Sequence, residues 1–219
     1  RAAIEAGRPL VDLGGNDEVV AQQRRLDTDA RRAGVTIVPN CGLAPGLVNV
    51  IAAGSISEFD SVESVHLRVG GLPQVPRPPP NYQISFSIEG LLNEYSGRAE
   101  VLRKGRRVLV DALTEVETIH FPPPFGELEA FITTGGASLL PELFEGKVRE
   151  LDYKTIRYPG HCERFKALMD LGFGSNDPIQ MGSNIFTERE VFSELLRRKL
   201  PETGPDVVLL QATTKGLKN

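Results

Sequence analysis

Residues 155–165 read TIRYPGHCERF, with Arg157 and His161 four positions apart on either side of a Pro-Gly turn. Arg157 offers a planar fork of donors that matches a carboxylate, and His161 is a group that exchanges a proton near neutral pH. Together they suit the handling of a small amino or carboxylic acid. Pro159 must end the strand before it, Gly160 permits a sharp turn, and a helix begins near His161. A helix N-terminus disfavours imidazolium, so His161 is expected to be neutral and able to accept a proton or a hydrogen bond. The spacing alone equally permits a structural reading, in which Arg157 pairs with a nearby acid and His161 caps its helix.

Two further stretches carry candidate contacts. VPNCGLAPGLVN either forms a backbone cradle beside a ligand, with Asn40 and Cys41 at its lip, or is a tight connection that needs Gly42 and Gly46 for geometry. In FITTGG, Thr133 and Thr134 either bond a substrate or cap the next helix. His66 and His120 sit in strand-like segments and read as structural. No His, Cys or carboxylate spacing suits a metal ion. No Ser occupies a G-x-S-x-G elbow, and Cys162 directly follows His161, which prevents ordinary nucleophile-base geometry. LGFGSND follows a helix and lacks a third glycine, so it is no dinucleotide fingerprint.

The elements that must position these residues change character along the chain. PLVDLGG reads as a strand, DEVVAQQRRLDTDARRAG as one helix, VTIVP as a second strand, and NCGLAPGLVNVIAAGSISEF as a loop entering a helix with Pro45 near its first turn. This is the rhythm of a doubly wound parallel sheet, whose ligands lie beyond the carboxyl ends of the strands. From about residue 60, VESVHLRVG, YQISFSIEG, AEVLRKGRRVLV with a Lys-Gly hairpin turn, ETIHF, GELEAFITT and PDVVLLQATTKG read as strands. GASLLPELF, GHCERFKALMDLG and TEREVFSELLRRKL read as helices, giving an α+β region whose mixed sheet has helices on one face.

Composition excludes several classes. A net charge of −4 leaves no basic field for nucleic acid. Two cysteines, Cys41 and Cys162, support neither a disulfide framework nor a thiolate metal site, which fits a reducing, cytoplasmic setting. No apolar run spans a bilayer. The chain opens on Arg1 with what reads as the last turns of a helix, so it is expected to be part of something longer.

In order, VDLGG, AGVTIVPNCGLAPGLVN, VGGLPQ, PNYQISFSIEGLLNEY, AEVLRKGRRV, GELEAFITTGG and KTIRYPGH cover most of the chain. This ordered set resembles the saccharopine dehydrogenase family, and within it the lysine 6-dehydrogenase-like branch. The resemblance implies an α/β plus α+β fold: the end of a Rossmann-type parallel sheet over residues 1–58, then a mixed-sheet substrate-binding and dimerisation domain over 59–219. It implies an NAD- or NADP-dependent oxidoreductase acting on the C–N bond of an amino acid, with oxidative deamination of the lysine side-chain amine as the first reading. A saccharopine or carboxynorspermidine-type enzyme, with Arg68 or Arg77 meeting extra carboxylates, is the alternative. A noncatalytic ligand-binding or dimerisation module is the reading outside the enzymes. By the resemblance, Asn40, Cys41, Gly42, Leu43, Ala44, Pro45 and Gly46 line the nicotinamide side of the cleft. Arg157 takes the substrate carboxylate, His161 handles the proton, and Tyr82, Thr133 and Thr134 contact substrate in a homodimer.

Overall fold

The computed structural model describes residues 1–201 and 203–218. Its first part is a short βα unit. Helix α1 (Ala2–Glu5) leads to β1 (Leu10–Val11), then α2 (Asp17–Arg24) and α3 (Asp27–Arg32), and β2 (Ile37–Val38) pairs parallel to β1. The helix expected over this stretch is therefore two. Leu26, at φ −88° and ψ 4°, leaves the helical well, and Asp27 and Asp29 restart the chain with an acidic first turn that favours a new N-terminus.

Helix α4 (Leu47–Ser57) connects to β3 (Ser61–Pro73), followed by α5 (Ile88–Glu94). The segment YQISFSIEG, expected as a strand, instead enters α5. Ser87 caps the helix by accepting a hydrogen bond from the Gly90 amide at 2.9 Å. Ile88, Leu91, Leu92 and Tyr95 are buried at i, i+3, i+4 and i+7, a helical stripe. Then come β4 (Arg98–Arg103), β5 (Arg106–Asp111), β6 (Glu117–Phe121), β7 (Gly126–Ile132), α6 (Leu140–Phe144) and β8 (Val148–Arg157). The chain closes with α7 (His161–Asp170), β9 (Pro178–Met181), β10 (Asn184–Thr187), α8 (Glu188–Lys199) and β11 (Asp206–Leu217). Thr187 and Glu190 form the reciprocal cap of α8, and Arg197, Arg198 and Lys199 complement its C-terminal end.

Among the described residues, β11-β3-β8-β4-β5, with β7 also on β8 and β6 on β7, make one seven-stranded mixed sheet. Only β3 and β8 pair in parallel within it. Strand β8 meets β4 through Leu102 and Leu151 near one end, and β7 through Glu129 and Arg157 at the other. Alternation along β3 and β8 turns Val65, Leu67, Val69, Leu151 and Tyr153 toward α4, whose Val48 and Ala52 share their core. Helices α5, α7 and α8 bury Leu91, Phe165, Phe192 and Leu196 together with Phe131 of β7. The helices thus cover one face, as the sequence implies, and α4, expected to close the first unit, packs on the large sheet.

The opposite face carries Arg68, Asp152 and Lys154, all buried. Arg68 pairs with Asp152 at 2.7 Å and with Glu117, and Lys154 meets Glu117 at 3.0 Å. Burial alone would raise the Asp152 carboxyl, but hydrogen bonds from His66 and Arg68 hold it well below the ordinary carboxylate range. Among the described residues, no helix is long and apolar enough to cross a membrane.

Candidate functional site

A cavity of about 610 Å³ opens where the first unit meets the helical face of the sheet. Its walls come from the β1–α2 turn at Leu13–Asn16, the loop Gly42–Pro45, the Gly70–Gly71 part of β3, helix α5, and Tyr153, Thr155 and Arg157 of β8. Among the described residues lining it, Arg157 is the sole cation, opposed by Glu89, Glu94 and Asp206.

Arg157 is 3% exposed and fixed from several sides. Its Nε donates to the Tyr95 hydroxyl at 3.0 Å, and its Nη1 donates to the Ile156 carbonyl at 2.9 Å and the Gly71 carbonyl at 3.4 Å. The Tyr82 ring lies 5.1 Å from the guanidinium carbon. Burial opposes its charge, but Tyr95, Tyr82 and Glu94 around it keep the guanidinium protonated. Nη2 remains, 3.9 Å from Oε2 of Glu94 and beyond hydrogen-bond reach.

His161 lies behind Arg157, away from the cavity lining and fully buried. Its Nδ1 is 3.1 Å from the Pro80 carbonyl, which can only accept, so Nδ1 carries the proton. Nε2 then accepts from the Tyr95 hydroxyl at 2.8 Å. A directed chain results, from Arg157 Nε–H to Tyr95 O–H to His161 Nε2, closed by His161 Nδ1–H on Pro80. Burial, with the Arg157 charge, lowers the imidazole to about 3, so the ring is neutral as expected. Both nitrogens are committed within the protein, an arrangement that orients Arg157 more readily than it exchanges a proton with a substrate.

The other expected contacts divide. Gly42, Leu43, Ala44 and Pro45 line the cavity, whereas Asn40, Cys41, Gly46, Tyr82, Thr133 and Thr134 do not. Asn40 bonds Ser138 Oγ at 2.7 Å, and Thr133 bonds Thr155 at 2.7 Å from behind the wall. Thr134 holds the carbonyl of Asn93 through its hydroxyl and that of Glu94 through its amide, both at 2.9 Å. Pro45 precedes the N-cap of α4 instead of occupying its first turn. The amides at the start of α4 offer no cradle: Gly46 N–H bonds Asn49 Oδ1, and those of Leu47 and Val48 bond the Gly42 and Leu43 carbonyls. Gly46 has φ 138°, and a Cβ there would sit 2.0 Å from the Gly42 oxygen, so its role is geometric. Arg68 is committed to the opposite face and Arg77 lines a separate small cleft, so neither adds charge here.

Sequence reading missed Glu94 and Glu129. Glu94 was hidden by the strand assignment, although the Ile88-Leu91-Leu92-Tyr95 spacing marks the helix that carries it. Glu129 of β7 caps α7, accepting the Gly160 amide at 2.7 Å and the Cys162 amide at 2.6 Å. The cap that local spacing allowed for His161 is thus supplied across the sheet. His66 bonds Asp152 at 2.9 Å on the far face and His120 is exposed on β6, both outside the cavity.

Fold and site define an α+β domain of mixed sheet, set against a short parallel βα unit, with a cavity at their junction. The chain belongs to the saccharopine dehydrogenase C-terminal domain family, whose model matches residues 42–219. It is 24% identical, over 88% of its length, to the saccharopine dehydrogenase [NADP(+), L-glutamate-forming] of Saccharomyces cerevisiae, covering 44% of that protein. It is 25% identical, over 79% of its length, to the mitochondrial alpha-aminoadipic semialdehyde synthase of Bos taurus, covering 20% of it. The solved apo saccharopine dehydrogenase (L-Glu forming) from Saccharomyces cerevisiae shares the fold, with a TM-score of 0.61 at 23% identity over 80% of this chain and 41% of that one. The chain therefore spans less than half the length of these relatives.

Proposed function

We propose that this chain supplies the substrate-binding part of an NAD- or NADP-linked oxidoreductase acting on the C–N bond of an amino acid. The observation that carries this reading is Arg157: a buried, oriented guanidinium at a cavity wall, with Nη2 left for a carboxylate. Tyr95 and His161 position it, and Thr133 and Thr134 support the wall. The Gly42–Pro45 loop and Leu13 present an uncharged wall that suits a flat nicotinamide ring. With no second cation among the described residues lining the cavity, the cofactor's phosphates would be held elsewhere. A bound nicotinamide supplies the hydride acceptor, while these residues orient the substrate and exclude water.

Within that class, one cation facing three carboxylates among the described lining residues favours a substrate with one carboxylate and an extra amine, so oxidation at the lysine side-chain amine is the finer reading. The names of the curated relatives favour a second reading, a saccharopine-type substrate. A homodimer belongs to the proposal, supported by the edge strand β11, which pairs on one side only among the described residues. A cytoplasmic setting is in keeping with the unpaired Cys41 and Cys162.

The test follows nicotinamide reduction by the full-length gene product with L-lysine and with saccharopine, each with NAD and NADP. Turnover of lysine supports the finer reading, and turnover of saccharopine alone supports the second. A folded protein silent with every pair would leave a noncatalytic binding module.

A further inference from the structure

Glu94 ends α5 with a side chain about a quarter exposed, lining the same cavity as Arg157. Among the described residues, its carboxylate accepts no hydrogen bond, and its nearest cationic partner is Arg157 Nη2 at 3.9 Å. The two charges are too far apart to bond each other and close enough to be bridged by one ligand. In an α-amino acid two carbons, Cα and the carboxyl carbon, join the ammonium nitrogen to the nearer carboxylate oxygen, which lie about 2.5–3 Å apart by ordinary bond lengths.

We propose that Arg157 and Glu94 together read the zwitterionic head of an α-amino acid, Arg157 taking the carboxylate and Glu94 the ammonium. This rests on the carboxylate role given to Arg157 above. It makes Glu94 a specificity-determining residue that rejects plain carboxylic acids, and it directs the substrate's side chain and reacting nitrogen away from this pair. The groups facing Glu94 are Arg157 and Tyr153 of β8, Tyr82 of the segment before α5, and its chain neighbour Tyr95; Glu89 and Asp206 share the cavity. Burial raises the Glu94 carboxyl to about 7, with Arg157 opposing the rise. An ammonium placed against it favours the ionised form, so head-group binding near pH 7 should expel a fraction of a proton.

The experiment is calorimetric titration of the full-length protein with L-norleucine, which has the zwitterionic head, and with hexanoate, which has the carboxylate alone. L-Norleucine is expected to bind about tenfold or more tightly than hexanoate, as one charged hydrogen bond allows. In E94Q that preference should shrink to within about threefold while hexanoate still binds. For the wild type at pH 7, the L-norleucine heat should vary with buffer ionisation enthalpy. Equal affinities, a preference that survives E94Q, or no measurable binding of L-norleucine would each overturn the proposal. Because the readout is binding, preference for L-norleucine without turnover of lysine or saccharopine would remove the oxidoreductase reading alone. Turnover without the preference would remove this one alone.

Discussion

Tyr82, Tyr95 and His161 converge on one guanidinium, and each constrains a different part of it: a ring beneath the plane, a hydroxyl on Nε, and an imidazole that directs the hydroxyl. A lysine at 157 would keep the charge but lose the fork, so R157K is expected to raise the substrate KM about 10- to 100-fold with a smaller change in kcat. Steady-state kinetics check this, and an unchanged KM would remove the anchor role. Two desolvated groups here, one buried and one partly buried, titrate in opposite senses. His161 stays unprotonated in the fold down to about 3, while the unfolded chain takes up its proton near 6.5, so this term costs stability as pH falls through that window. Glu94 is protonated in the fold up to about 7 but ionises near 4.5 when unfolded, so its contribution is present below 4.5 and lost as pH rises through 7. E94Q should therefore be more stable than wild type at pH 8 by on the order of 1–3 kcal/mol and equal to it at pH 4. Urea midpoints at the two pH values decide it.

At the scale of elements, α7 shows how a helix is anchored across a sheet. Gly160 takes φ 81°, turning the chain from β8 into the helix, and Glu129 on the adjacent strand satisfies two amides at the helix start. A carboxylate there also complements the positive end of the helix. Because His161 is the first residue of α7, the cap sets where the imidazole stands relative to Tyr95. E129A should lower stability by about 1–3 kcal/mol by leaving two amides unpaired. It should also raise KM through the disturbed Arg157 chain, and an unchanged thermal midpoint with unchanged KM would show that the cap does neither.

At the scale of the molecule, β3 and β8 are the parallel centre of the large sheet, each paired on both sides, with α4 buried against them. The β1–β2 pair has two residues per strand, and β9–β10 is an isolated hairpin. Backbone amide exchange should accordingly be slowest in β3 and β8 and fastest in those two peripheral pairs. Comparable protection throughout would contradict a single cooperative centre. The cavity lies between this centre and the smaller unit, so its lining joins strongly and weakly protected segments.

Local chemistry made much of this legible in advance. The Lys104-Gly105 turn, the capped α8 and the Pro159-Gly160 break each follow from one or a few neighbouring residues, because φ preference, capping and proline exclusion act within a turn of chain. The mixed sheet with helices on one face followed from alternating and helical spacings, and Arg157 stood out because a guanidinium at a strand end needs a partner. Tertiary structure decided the rest. Whether His161 faced a substrate or the interior depended on Pro80 and Tyr95, which arrive from distant segments. Whether Arg68 or Arg77 joined the cavity depended on the sheet face that Arg68 met and on the separate cleft that the loop after β3 gives Arg77. The juxtaposition of Glu94 and Arg157 required α5 to lie over β8, and only desolvation there could raise a carboxyl that in the free chain would titrate like any other.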